Sequence, residues 1–87
     1  MIPSIETENY KLTFEREELL YCHFEVYNWS VSIYKQMLID FEEIKAAVVE
    51  ALWCTINKDD QFRLKLVGMF GFVPRYEGVD NLTMEAI

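Results

Sequence analysis

The sequence predicts an α/β (α+β) domain with a mixed sheet in the order β-β-α-β-α-β-β. Three observations carry this expectation. Apolar residues alternate with polar ones over 10–15 and again over 19–27, the two-residue period of strands with one face in a core. From Ile33 to Ala51 they recur every three or four residues, the period of a helix face laid on a core. Three more short β-favouring runs follow, at 52–56, 72–76 and 82–87, with a second helical stretch between the first two.

In chain order, residues 1–9 read as a loose N-terminal leader, with Pro3, Ser4 and several acidic or polar positions. Tyr10, Leu12 and Phe14 then alternate with Lys11, Thr13 and Glu15, and a turn follows at Arg16–Glu18. Leu20, Cys22, Phe24 and Val26 form the apolar row of the next strand, which closes a hairpin with the first. Its other row is Tyr21, His23, Glu25 and Tyr27. A Tyr, a His and a Glu at two-residue spacing can reach one ligand, and a half-solvated sheet face explains the same row.

A serine in the Asn28–Ser32 break is suited to capping the long helix, whose core face is Ile33, Met37, Phe41, Ile44, Val48 and Ala51. Leu52–Ile56 is apolar enough for a strand covered on both faces. Asn57–Asp60 turns the chain and offers an aspartate cap. The helix from Gln61 to Phe70 places Phe62, Leu66, Met69 and Phe70 on one side, and Gly71 supplies the left-handed residue that stops it. Pro74 confines the strand at 72–76 to an edge or a bulge. Glu77–Asn81 makes the last turn before a closing strand at 82–87.

At 87 residues and 10.4 kDa the chain has room for one small domain, residues 10–87, since chains of this size bury only about 60% of their unfolded surface. Eight Lys and Arg face fifteen Asp and Glu, a net charge of −7. That balance excludes a surface built to neutralise phosphates, so no nucleic acid partner is expected except through charge mimicry. No apolar run nears the roughly 20 residues of a membrane span, and residues 1–10 lack a signal peptide's basic and apolar regions. A cytoplasmic protein without membrane contact is expected. Cys22 and Cys54 sit singly in apolar strands and read as buried free thiols, and one histidine with no Cys-x-x-Cys leaves zinc without a ligand set.

Nucleophilic catalysis finds no support, because Cys22 and His23 are adjacent in a strand and point to opposite faces. The acid pairs Glu17–Glu18, Glu42–Glu43 and Asp59–Asp60 read as solvated surface, and Trp29, Trp53, Phe70 and Phe72 as core. Gly68, Gly71 and Gly78 come late and open no helix after a strand, which excludes a phosphate loop of the glycine-rich kind.

The stretch LWCTINKDDQFRLKLVGMFGFVPRYEG, from Leu52, resembles the closing motif of the GNAT N-acetyltransferase superfamily: a short strand, an Asn/Asp turn, an amphipathic helix and a Gly-Phe pair. The preceding LLYCHFEVYNWSVSIYKQMLIDFEEIKAAVVEA is similar to that family's central strand, serine-containing loop and cofactor-binding helix. The resemblance covers about three-quarters of the chain in element order. It implies a shortened GNAT-like domain, without the family's first strand and first two helices, of a kind frequent in tailed bacteriophages.

The resemblance also implies where acyl-CoA would lie: its pyrophosphate on backbone amides of Ser30, Val31, Ser32 and Ile33, and its acyl arm in the splay between the central strand and the strand at 52–56. His23 or Glu25 would then accept the amine proton. Ser32 and Tyr34 stand where the family's loop has glycines, Asp60 stands for its asparagine and Val67 for its tyrosine acid, so the loop is degenerate. Two expectations follow. One is a small acidic GNAT-like binding or regulatory protein, phage-encoded and acting on a host protein in the host cytoplasm, with no cofactor and a homodimer as one assembly. The other is an acetyl-CoA-dependent N-acetyltransferase.

Overall fold

The structure is a computed structural model that describes residues 4–86. Six strands form one mixed sheet: β1 (Ile5–Glu6), β2 (Tyr10–Arg16), β3 (Leu20–Val26), β4 (Leu52–Asn57), β5 (Phe72–Glu77) and β6 (Asn81–Ala86), with helices α1 (Val31–Ala47) and α2 (Gln61–Met69). Their spatial order is β1-β2-β3-β4-β6-β5. Neighbours run antiparallel except β3 and β4, which are joined through α1 and are parallel. The α+β class is as the periodicities indicate, and the predicted order β-β-α-β-α-β-β matches the run from β2 to β6, with β1 in addition.

Both helices lie on the face that carries Phe24. Its ring meets Phe41 of α1 at 6.0 Å, Phe70 at the end of α2 at 5.4 Å, and Phe72 of β5 at 5.9 Å. Tyr10, Leu12, Cys22, Leu52, Cys54 and Ile56 complete the buried side of the sheet. Tyr10 adds a polar tie, its hydroxyl donating to Asp40 of α1, and burial with that carboxylate holds the phenol well above its ordinary range. Strong alternation wins at β2 and β3 because each buries one row and leaves the other toward water.

Four expectations are corrected. The stretch read as a leader contributes β1, since Ile5 and Glu6 pair with Leu12 and Lys11; residues 1–3 lie outside the described residues, as does Ile87 of the closing strand. The long helix stops at Ala47, and Val48 is already extended: two consecutive β-branched residues, Val48 and Val49, favour that change. β4 alternates buried and accessible positions, because both helices cover the same side. Trp29 is exposed, as are Phe62 and Met69 of the predicted α2 core face, whereas Leu66 and Phe70 are buried.

Termini and edges follow from local chemistry. Ser30 caps α1 by accepting from the Ile33 amide, Asp60 caps α2 by accepting from the Arg63 amide, and Gly71 takes φ 91°, open to a residue without Cβ. Pro74 lies in edge strand β5 beside a register shift between Pro74 and Tyr76, and the opposite edge, β1, is two residues long. Both features blunt an edge against pairing with another sheet.

Burial raises both thiols, Cys54 to about 12 and Cys22 further, the charge of Cys54 adding to the effect at Cys22. Neither should react with Ellman's reagent in the folded protein, and both should in guanidinium chloride. A thiol that reacts in native buffer on mixing would overturn their placement.

Candidate functional site

The parallel pair at the middle of the sheet separates almost at once. β3 and β4 are in register only at Leu20–Leu52 and Tyr21–Trp53. Beyond those residues the strands diverge, and a cleft of about 280 Å³ opens between them, lined among others by His23, Glu25, Thr55, Asn57, Asp60 and Arg63. Each strand keeps its outer partner, β2 for β3 and β6 for β4, so the split costs only the hydrogen bonds between the two.

Arg63 occupies this split. Its Nε donates to the Phe24 carbonyl at 3.0 Å, and Nη1 donates to Asp60 Oδ2 at 2.9 Å. The helix cap and the guanidinium brace therefore share one carboxylate. The Arg63 backbone amide, then its side chain, hold Asp60 below the usual carboxylate range. Asp60, expected from sequence to cap the helix and placed by the resemblance at the family's asparagine position, does cap α2, and it also carries a cation, Arg63.

The remaining sequence-predicted residues separate into two places. His23 and Glu25 both line the cleft, yet each is engaged along the sheet surface: His23 Nε2 lies 3.3 Å from Glu15 Oε2, and Glu25 accepts from the Tyr27 hydroxyl at 3.2 Å. Ser30, Val31, Ser32 and Ile33 form the cap and first turn of α1. Ser30 Oγ takes the Ile33 amide at 3.2 Å and lies 3.2 Å from Ser32 Oγ, while the Val31 side chain is exposed. Ser32 and Ile33 line a separate depression with Tyr10 and Gln36. Tyr34 turns its ring between the helices, 5.9 Å from Trp29 and 5.7 Å from Phe70. Val67 is fully buried.

A second concavity escaped the sequence reading. Trp29 and Phe62 meet edge to face at 5.6 Å, and with Lys65, Leu66 and Met69 they line an apolar slot of about 420 Å³ along α2. The available signal was that apolar residues run all round α2, more than one sheet contact can bury. Among the described residues, no group of three His, Cys, Asp or Glu is placed to hold a metal ion, and no helix is long and apolar enough to cross a membrane.

Comparisons with protein-family models, curated proteins and solved structures give no match.

An acyl arm entering between β3 and β4 would have to displace the Arg63 bond to the Phe24 carbonyl. A pyrophosphate at the start of α1 would meet a turn whose Ile33 amide is already satisfied and which has no glycine to let it approach. The residues present do not fit the cofactor without rearrangement.

Proposed function

We propose that this chain is a small acidic binding and regulatory protein on a GNAT-like scaffold, acting through its surface on a protein partner and not by acetyl transfer. The phage association of the resemblance makes a host protein the partner class. The observation that carries the reading is Arg63: where the resemblance expects an acyl-CoA arm, a side chain of the protein bridges the split to the Phe24 carbonyl and is itself held by Asp60. The split supports the GNAT-like part of the reading, and its internal brace supports the loss of the cofactor.

The split also favours a second reading, an N-acetyltransferase. That reading requires Arg63 to release the Phe24 carbonyl and the Ser30 cap to release the Ile33 amide, so that Ser30 to Ile33 could hold phosphate and His23 or Glu25, both at the cleft, could take the amine proton. Thermal denaturation with and without millimolar acetyl-CoA separates the two. The binding reading expects no change in Tm. A ligand at a hundred times its Kd stabilises by about 2.7 kcal/mol, so a rise of several degrees would overturn it.

A further inference from the structure

We infer that the Trp29–Phe62–Met69 slot is the docking surface for an acidic amphipathic helix of the partner protein, an inference that rests on the binding reading above. The slot is apolar and accessible: Trp29 is 44% exposed, Phe62 48% and Met69 41%, all in a concavity where aromatic and thioether groups can grip a partner's side chains. Phe62 and Met69 stand two turns apart on α2 and are exposed, with buried Leu66 forming the floor between them, a spacing at which one helix can seat another.

Charge selects the kind of helix. The slot's lining includes one cation, Lys65, and no acid; the segments around it, 26–39 and 61–76, contain none of the fifteen Asp and Glu, and of their other cations Arg63 and Arg75 are paired with Asp60 and Glu85 while Lys35 stands in α1. The acids that bound these segments in sequence are each engaged: Glu25 by Tyr27, Asp40 by Tyr10 and Gln36, Asp60 by Arg63, and Glu77 by Lys58. Lys65, at the slot itself, has no acidic partner among the described residues. A chain of net charge −7 thus keeps this apolar slot free of negative charge and sets a lysine there. At physiological ionic strength fields decay over about 8 Å, so this local excess of cation, and not the overall charge, is what a docked helix meets. The complementary surface is an apolar stripe flanked by carboxylates.

The probe is a helical peptide of about 18 residues with leucines at i, i+3, i+4 and i+7 and glutamates beside them, compared with the same peptide carrying lysines in place of the glutamates. Titration is followed by the NMR signals of the Trp29 indole, the Phe62 ring and the Met69 methyl. The expected result is saturable shifts at these groups with the acidic peptide and binding about tenfold weaker with the basic one. Lys65→Glu, an exposed change that leaves Tm in place, should weaken the acidic peptide about fivefold. Equal affinity for both peptides, or shifts centred elsewhere, would overturn the inference and leave the binding reading standing. So would self-association abolished by Trp29→Ala, which would make the occupant a second copy. Acetyl-CoA moving the same signals would overturn both.

Discussion

Phe24→Ala should remove about 3–5 kcal/mol of stability, the range for a phenylalanine deleted from a packed core. A chain of this length has only about 4–13 kcal/mol in total, so the variant should lose from about a quarter to all of it. The reason lies in what the ring joins. Phe24 meets Phe41 of α1, Phe70 at the close of α2 and Phe72 of β5, so one side chain connects both helices to opposite halves of the sheet. The neighbours come from α1, the end of α2 and β5, and are themselves buried, so they cannot collapse fully into the space. It also lies on the diverging part of β3, where hydrogen bonds to β4 are absent from the register and packing must hold the strand. Urea unfolding followed by far-UV circular dichroism checks this. A cooperative transition within 1 kcal/mol of the parent would show that the aromatic cluster is not the keystone of the core.

Asp60→Ala should cost about 1–2 kcal/mol and change the acid limb of the stability curve. The carboxylate caps α2 through the Arg63 amide, and such caps contribute about 1 kcal/mol. It also holds the guanidinium that braces the split. Because the folded state lowers the Asp60 pKa, its contribution is complete above the ordinary carboxylate value near 4 and is lost as pH falls through the lowered one. The parent should therefore lose stability on acidification below about pH 4 more steeply than Asp60→Ala does. Arg63→Met separates the two roles, keeping the aliphatic stem and the amide that meets the cap while removing the brace. It should retain part of the acid dependence and cost about 1 kcal/mol. Parallel acid limbs for parent and Asp60→Ala would sink the assignment.

Much of the framework was readable because single residues act locally. Ser30, Asp60 and Gly71 fix helix ends through bonds or torsions within three or four positions, and the period-two rows of β2 and β3 choose their buried faces without outside help. What was not readable depends on which sheet face receives the helices. β4 looks apolar on both sides, yet Trp53 and Thr55 are accessible because α1 and α2 pack on the same side. The same cause exposes Phe62 and Met69, which share a stripe with Leu66 in sequence but lie on its outer flank. At the candidate site, His23 and Glu25 were visible as a row, while Arg63 was not. Its partner, the Phe24 carbonyl, is 39 residues away, and no side-chain pattern announces a main-chain oxygen left free by diverging strands.

The placement of β6 bears on how the molecule is made. It follows β5 in the chain but lies between β4 and β5, pairing with both. During synthesis β5 therefore leaves the ribosome before the strand that anchors it exists. A nascent chain halted ahead of Asn81 would carry an unzipped β4 border and a loose β5 together, the exposed state that chaperones attend. Completion of the sheet must wait for translation to pass Ala86.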